Sequence, residues 1–156
     1  MILAVDQALA NTGLIWFTGP DPIVVEGKGL LRSKGLLDGN EASLNRAAEM
    51  TDEFDIILGY PHLEYIIYEI PPLGNLVQRP ESSLLAAMAL RVAARGRNLK
   101  TVGVSANKAK RVLTGSGNAA KKKVREALYE KYPVFKGLNE HQADAAALII
   151  AHFYGD

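Results

Sequence analysis

Three acidic residues in this sequence occupy positions from which their carboxylates could act together. Asp6 and Glu69 each end a short apolar segment typical of a β-strand, and Asp144 lies near the start of the last predicted helix. His141 precedes Asp144 by three residues, so both belong to one face of that helix. Clustered carboxylates repel one another unless a cation lies between them, and Mg²⁺ or Mn²⁺ prefers such oxygen ligands. The pattern therefore predicts a divalent-metal site.

The chemistry of such a site is phosphodiester hydrolysis, because two ions about 3.5–4 Å apart can activate a water and stabilise the leaving oxygen. Each residue also has an ordinary structural interpretation. An aspartate at a strand end often serves a turn, and Asp144 near a helix start interacts favourably with the helix dipole. Glu69 is harder to explain in this way, because a glutamate within YIIYEI is unfavourable in a buried strand unless it is paired.

A second chemical feature is a basic segment. Residues 91–125 contain eleven Lys or Arg and no acid, whereas the other 121 residues carry seven basic and seventeen acidic side chains. Such asymmetry within a net charge of +1 is typical of nucleic-acid binding. A solvated helix face is the alternative for the triplet Lys121–Lys123. The residues expected to contact DNA phosphates are Lys108, Lys110, Arg111, Lys122, Lys123 and Arg125.

Short strands and helices must position these residues. The first 31 residues predict an antiparallel meander of Ile2–Asp6, Leu14–Phe17 and Ile23–Leu31, with a turn at Asn11–Gly13. Gly35–Asn40 is predicted as a loop. The remaining predicted elements are a helix from Glu41, a strand Glu64–Ile70, a helix Leu84–Arg95 capped by Ser82 or Ser83, a strand Thr101–Ser105, and helices Asn107–Leu113, Ala119–Tyr132 and Glu140–Phe153. This order predicts an α/β fold, a mixed sheet covered by helices on its faces.

The composition excludes several classes of protein. The absence of cysteine excludes disulfides, thiolate zinc sites and a cysteine nucleophile. No apolar run approaches the roughly 20 residues of a membrane span, and the start MILAVDQ does not have the pattern of a signal peptide. We therefore expect residues 1–156 to form one domain in the cytoplasm, with no membrane partner.

Several segments of the chain resemble the RuvC family of Holliday junction resolvases, a branch of the RNase H-like superfamily. MILAVDQALANTGLIW resembles the family's opening strand and turn, YIIYEI the strand that holds its glutamate, and HQADAAALIIAH its closing helix. The segment between them is similar in order, small-residue content and basic character, so the resemblance covers nearly the whole chain. It implies an RNase H-like fold, in which helices flank a central five-stranded mixed sheet.

The resemblance also implies a function, that of a Mg²⁺- or Mn²⁺-dependent crossover junction endonuclease with two ions in each active site. Such an enzyme works as a homodimer and nicks two opposed strands of a four-way junction, since two symmetrical cuts need two identical sites. Carried over by position, the metal-binding catalytic residues are Asp6, Glu69, His141 and Asp144, and the catalytic lysine near the scissile phosphate is Lys121. Lys122 or Lys123 would take the place of Lys121 if their helix were rotated.

The chain departs from the family pattern at two places. Asp6-Gln7-Ala8 stands where many relatives have Asp-Pro-Gly, which changes the turn but keeps the carboxylate. Ile70–Leu73 follows the glutamate where relatives often carry an aromatic residue that opens the junction. Cellular relatives act with a branch-migration motor, for which this chain shows no docking motif, and a compact, divergent sequence suits a phage-encoded relative acting in an infected bacterial cell.

Three other functions compete with junction resolution. One is an RNase H-like nuclease that cuts other branched DNA or RNA–DNA hybrids, and another is a non-catalytic junction-binding module. The third is an ATPase of the sugar-kinase and actin type, which shares this sheet topology. DQALANTG holds no glycine-rich phosphate loop, so the sequence argues against the ATPase.

Overall fold

A computed structural model describes residues 1–32, 39–71 and 81–155. Within these ranges the strands are β1 (Ile2–Asp6), β2 (Asn11–Thr18), β3 (Val24–Arg32), β4 (Tyr65–Glu69) and β5 (Lys100–Val104). The helices are α1 (Gly39–Leu58), α2 (Glu81–Gly96), α3 (Ala106–Thr114), α4 (Lys121–Lys131), a short 3-10 helix (Pro133–Phe135) and α5 (Glu140–Tyr154). In the described ranges no helix is both long enough and apolar enough to cross a membrane.

The strands form one mixed sheet in the order β3-β2-β1-β4-β5. β1 pairs antiparallel with β2 and parallel with β4, and β4 pairs parallel with β5. Parallel neighbours end at the same edge of a sheet. The carboxyl ends of β1 and β4 therefore meet, and the pairing of Asp6 with Gly13 brings the first part of β2 to the same edge.

Helices cover both faces of the sheet, and the alternation of side chains along β1 divides the core between them. Ile2 and Ala4 pack in one cluster with α3, α4 and α5, whereas Leu3 and Val5 pack in a second cluster with α1 and α2. Because β1 is covered on both faces, its apolar side chains are buried throughout. The predicted mixed five-stranded sheet with flanking helices is confirmed.

The predicted turn at Asn11–Gly13 is wrong, because these residues form the start of β2. The chain reverses before Asn11, in the residues between the end of β1 at Asp6 and the start of β2. The Thr12 hydroxyl donates to the Ala8 carbonyl at 2.9 Å and accepts from the Ala8 amide at 3.2 Å. A side chain of the second strand thus closes the turn, which a reading of turn-forming residue types alone does not detect.

Two helix starts also differ from the predictions. α1 begins at Gly39, inside the predicted loop 35–40, whose residues 35–38 lie outside the described ranges. α2 begins at Glu81, so Ser82 and Ser83 belong to its first turn and are not its cap. The predicted helices at the C-terminal end of the chain agree with α3, α4 and α5 to within two residues.

Candidate active site

The parallel pairing of β1 and β4 brings Asp6 and Glu69 side by side. The last paired residues of these two strands are Val5 and Tyr68, so each acid is the next residue along its own strand. Their carboxyl groups lie close enough that each shifts the pKa of the other. Two acids that are 63 positions apart in the sequence thus form one polar pair at the edge of the sheet.

The start of α5 lies directly on β2 at Gly13, the residue that pairs with Asp6. A Cβ atom at position 13 would lie 2.2 Å from the carbonyl oxygen of His141 and 2.7 Å from the amide nitrogen of Gln142. Non-bonded heavy atoms pack at about 3.5–4.0 Å, so only glycine permits this approach. The contact holds the helix that carries His141 and Asp144 against the strand end that carries Asp6.

A capping box fixes the first turn of α5. The Asn139 side chain accepts from the Gln142 amide at 3.0 Å, and the Gln142 side chain accepts from the Asn139 amide at 3.2 Å. The Gln142 side-chain nitrogen also donates to the carbonyl of Gly29 in β3 at 3.1 Å. The helix start is therefore anchored to β3 as well as to β2.

His141 and Asp144 both approach the acid pair from α5. His141 Nδ1 lies 3.5 Å from Asp6 Oδ2, and the charge of Asp144 acts on both Asp6 and Glu69. We call Asp6, Glu69 and Asp144 the acid cluster. The structure therefore brings together the four residues predicted to bind metal.

Lys121, the first residue of α4, reaches into the acid cluster. Its Nζ lies 2.8 Å from Asp144 Oδ2 and 3.6 Å from an Oε1 oxygen of Glu140. Lys122, in contrast, is 81 % exposed and pairs within its own helix, and Lys123 is exposed. Of these three lysines, Lys121 is the one that forms an ion pair with the acid cluster. Helix α4 therefore presents Lys121, and not Lys122 or Lys123, to the acids.

The electrostatics of the site favour a bound proton or cation. Burial, together with the charge of Asp144, raises the pKa of the Asp6 carboxyl to about 7. Burial, together with the charges of Asp6 and Asp144, raises the pKa of Glu69 to about 7. Burial alone would lower the pKa of Lys121, but its hydrogen bond to Asp144 and the nearby carboxylates outweigh burial and raise it. Two ionised carboxylates at this place therefore need a further positive charge.

The acid cluster opens into a cavity of 240 Å³. Its lining combines charged groups with small and apolar side chains: Asp6, Glu69, Asp144, Lys110, Lys121, Ala106, Ala109, Val124, Ala147 and Leu148. In the described part of the chain, no group of three or more His, Asp or Glu side chains is arranged to hold a metal ion by itself. Mg²⁺ commonly binds through one or two carboxylates, with water and substrate phosphate completing its shell. The Asp6–Glu69 pair in an open cavity fits that kind of site.

The predicted DNA-binding residues lie on two helices but face different directions. On α3, Lys110 lines the cavity, whereas Lys108 lies two residues earlier and faces the end of α5, where its Cε would be 2.6 Å from a Cβ at Gly155. Arg111 is exposed beside the glycine loop that follows α3. On α4, Lys122 and Lys123 are exposed and Arg125 is half-buried.

Other members of the basic segment lie away from the cavity. Arg97 donates two hydrogen bonds to Asp55 of α1, at 2.8 and 3.0 Å, so its charge is compensated by an acid on the protein surface. Arg91 and Arg95 line a separate groove of 440 Å³ beside α2 and β5. The acid-free stretch is thus not one continuous surface, and its α3–α4 part is the part next to the acids.

Glu140 and Lys110 belong to the site, although the sequence analysis did not place Glu140 there and assigned Lys110 only to DNA binding. A signal for Glu140 exists in the sequence, because it lies four residues before Asp144 and hence on the same helix face. For Lys110 no comparable signal exists. Which face of the short helix α3 meets the acids depends on its packing against α5.

Solved structures of other proteins share this fold. The structure of Thermus thermophilus RuvC covers 98 % of this chain and 93 % of its own length, with a TM-score of 0.74 and 18 % identity. This chain has the RuvC fold. The RNase H-like class predicted from the sequence is therefore confirmed.

Two further structures extend the comparison. T. thermophilus RuvC in complex with a Holliday junction substrate aligns over 97 % of this chain and 91 % of its own, with a TM-score of 0.76 and 18 % identity. The yeast mitochondrial Holliday junction resolvase Ydc2 aligns over 97 % and 77 %, with a TM-score of 0.57 and 12 % identity. No protein-family model and no curated protein sequence matches the chain.

Proposed function

We propose that residues 1–156 form one nuclease domain, a structure-selective DNA endonuclease that resolves four-way junctions by paired, metal-dependent hydrolysis of phosphodiesters. The observation that carries this proposal is the side-by-side pair Asp6–Glu69 at the ends of β1 and β4, beside Asp144 and Lys121, at one edge of a sheet with the RuvC fold. A RuvC of the same fold has been solved with a Holliday junction substrate, which supports branched DNA as the substrate here.

Mg²⁺ or Mn²⁺ is the cation that the acid cluster suits best. Asp6 and Glu69 would hold it, with Asp144 and His141 as the further ligands of a two-ion site. When bound, the cations supply activation of the attacking water and stabilisation of the leaving oxygen. Burial and the charge of Asp144 raise the pKa of both Asp6 and Glu69, so the pair is poised to exchange its proton for a cation.

The lysines of the cavity provide positive charge where the scissile phosphate would lie. Lys121 is oriented by Asp144 at 2.8 Å, and Lys110 of α3 lines the same cavity. Preorganised cations facing a phosphate that gains charge during reaction stabilise its transition state. The products of this reaction are nicked strands with 5′-phosphate and 3′-hydroxyl ends.

The exposed basic residues next to the cavity fit the role of phosphate contacts along the arms of the junction. Arg111, Lys122 and Lys123 are exposed and Arg125 is half-buried, on the two helices that also carry the cavity residues Lys110 and Lys121. Such contacts give affinity that depends on salt and not on sequence. Lys108 lies on the side of α3 opposite to Lys110, so we propose it as a phosphate contact farther from the cavity.

A homodimer forms part of this proposal, and α2 offers the surface for it. Leu84, Met88 and Val92 are spaced by four residues along one face of α2 and are 51, 54 and 59 % exposed. An apolar stripe of this kind on a helix marks an interaction surface. Pairing two copies through α2 would give a two-fold enzyme with two identical sites, which matches the two-fold symmetry of a four-way junction.

The dimer is tested by the variant with both Met88→Glu and Val92→Glu. We expect analytical ultracentrifugation to give twice the mass of one chain for the wild type and a single-chain mass for the double variant. Ile56→Glu is the matched control, because Ile56 is 78 % exposed on α1 and lies off the α2 stripe. A wild type that sediments as one chain at micromolar concentration would contradict the dimer.

The substrate class is tested with a panel of labelled nucleic acids. A four-way junction, a three-way junction, a flap, a linear duplex and an RNA–DNA hybrid are incubated separately in the same Mg²⁺ and Mn²⁺ buffers. We expect the four-way junction to be cut fastest. Preferential cutting of the hybrid would instead indicate an RNase H-type activity, and tight junction binding without cutting in either metal would indicate a binding module.

A further inference from the structure

Gln7 follows Asp6 directly, and its side chain is 5 % exposed. Its Nε2 donates to the main-chain carbonyl of Glu69 at 2.5 Å, and its Oε1 accepts from the main-chain amide of Glu69 at 3.2 Å. The carboxamide therefore pairs with both backbone polar groups of the residue that carries the second acid. It joins the ends of β1 and β4 next to the two carboxylates.

The position of this pairing in the sheet explains its importance. The parallel ladder between β1 and β4 ends at Val5 and Tyr68, one residue before the acids. The Ile70 amide donates to Val104 of β5 at 2.9 Å, so Ile70 turns its amide toward β5 while Glu69 turns its amide and carbonyl toward β1. β1 has already ended there. The Gln7 side chain supplies the two hydrogen bonds that a continuing strand would have supplied.

We propose that Gln7 is a positioning residue for the reaction, which fixes the backbone of Glu69 relative to Asp6 and thereby sets the geometry of the carboxylate pair. This inference rests on the proposed nuclease function. A proline at this position would have no carboxamide with which to make the two bonds.

Gln7→Met tests the proposal, because methionine keeps the length of the side chain and removes both hydrogen bonds. Thr12→Val is the matched control: Thr12 is equally buried and also makes two hydrogen bonds to main chain, but its partner is Ala8 of the same turn. Both variants lose a buried pair of hydrogen bonds close to Asp6. Only Gln7→Met removes hydrogen bonds to the backbone of Glu69.

Two readouts separate positioning from general stability. In single-turnover cleavage of a four-way junction, we expect Gln7→Met to lower the maximal rate by about 30–100-fold, because small misplacements of a catalytic arrangement have costs of this size. The protein concentration for half-maximal rate should change little. Hydrogen exchange of the Glu69 amide should accelerate by about tenfold or more, since its acceptor is gone. Thr12→Val should lower the Tm comparably while leaving the cleavage rate and the Glu69 amide near their wild-type values.

The outcomes distinguish this inference from the proposed function. If the wild-type protein cuts the junction and Gln7→Met cuts it equally fast, the positioning role is overturned. The role is also overturned if Thr12→Val loses as much maximal rate as Gln7→Met at an equal Tm. If the wild type cuts no substrate, the nuclease proposal fails by itself, and the positioning role in catalysis fails with it. In that case, the Glu69 exchange rate still shows whether Gln7 holds this strand end.

Discussion

The contact between Gly13 and α5 makes Gly13→Ala a direct test of how the fold builds the site. The alanine Cβ would lie 2.2 Å from the His141 carbonyl oxygen and 2.3 Å from its carbonyl carbon. Because non-bonded atoms pack at about 3.5–4.0 Å, the helix and the strand must separate by more than about 1 Å. The helix carries His141 and Asp144, whereas Gly13 is paired with Asp6 in the sheet. The separation therefore moves these two residues away from the Asp6 carboxylate.

We expect Gly13→Ala to slow junction cleavage by about 100-fold, since a displacement of about 1 Å in a catalytic arrangement has roughly that effect. Overpacking should also lower the free energy of unfolding by about 1–3 kcal/mol. The assay is single-turnover cleavage of a labelled four-way junction at saturating protein and Mg²⁺. Thermal unfolding of the same preparation confirms that the variant is folded at the assay temperature.

Gly27→Ala is the matched control for this experiment. Gly27 lies in β3 of the same sheet, and a Cβ there would meet its nearest neighbour, Trp16 Cε3, at an ordinary 3.6 Å. We expect this variant to cleave at the wild-type rate. A folded Gly13→Ala protein that also cleaves at the wild-type rate would show that the close approach of α5 to β2 does not set the geometry of the acids.

Changes of charge give three further predictions. In metal-free protein, Asp6→Asn should raise the free energy of unfolding at about pH 8 by on the order of 3 kcal/mol and by little near pH 4, as measured by urea unfolding. The folded protein keeps a proton on this carboxyl up to about pH 7, whereas the unfolded chain releases it near its ordinary pKa of 3.8, so stability falls as the pH rises between these values. An Asp6→Asn variant less stable than the wild type at about pH 8 would contradict this. At saturating protein, Lys121→Met should slow cleavage by about 100-fold because Asp144 and the phosphate lose its ammonium. Lys122→Met should stay near the wild-type rate under the same conditions, because Lys122 contributes only to affinity; equal losses would contradict the assigned roles. Replacing both Lys122 and Lys123 by Ala should reduce the slope of log affinity against log salt by about 2 in binding titrations, and an unchanged slope would exclude them as phosphate contacts.

The pairing of Asp6 with Glu69 is predictable from the sequence for a simple reason. Each acid ends an apolar run, and the ends of adjacent parallel strands lie at one edge of a sheet. The helix face shared by His141 and Asp144 is predictable from their spacing alone. In both cases a local periodicity determines the direction of the side chain once the fold class is known.

Other features of the site depend on contacts that no local pattern encodes. The two bonds from Gln7 to Glu69 span 62 positions, and glutamine has no special propensity for a strand end. Asn11–Gly13 has the residue types of a turn, but Thr12 closes the preceding turn and Gly13 is needed for the approach of α5. Tertiary packing therefore decides these positions against their local preference.

The same limit applies to the basic residues. Lys108 and Lys110 are equivalent in composition and are two residues apart, yet only Lys110 lines the cavity of the acids. Arg97 contributes to the basic segment in the sequence but is paired with Asp55 in the fold. Counting charges along the chain predicts a nucleic-acid partner, whereas the fold determines which of those charges face it.

Hydrolysis of phosphodiesters by the acid cluster can be followed strand by strand in a mobile four-way junction. The four strands are labelled in turn, and the cuts are mapped with Mg²⁺, with Mn²⁺ and with chelator, for the wild type and Asp6→Asn. We predict symmetrical nicks in two opposed strands that leave 5′-phosphate ends and disappear with chelator and in Asp6→Asn. Full cleavage by Asp6→Asn, or no nick by the wild type in either metal, would show that the acid cluster does not catalyse this reaction.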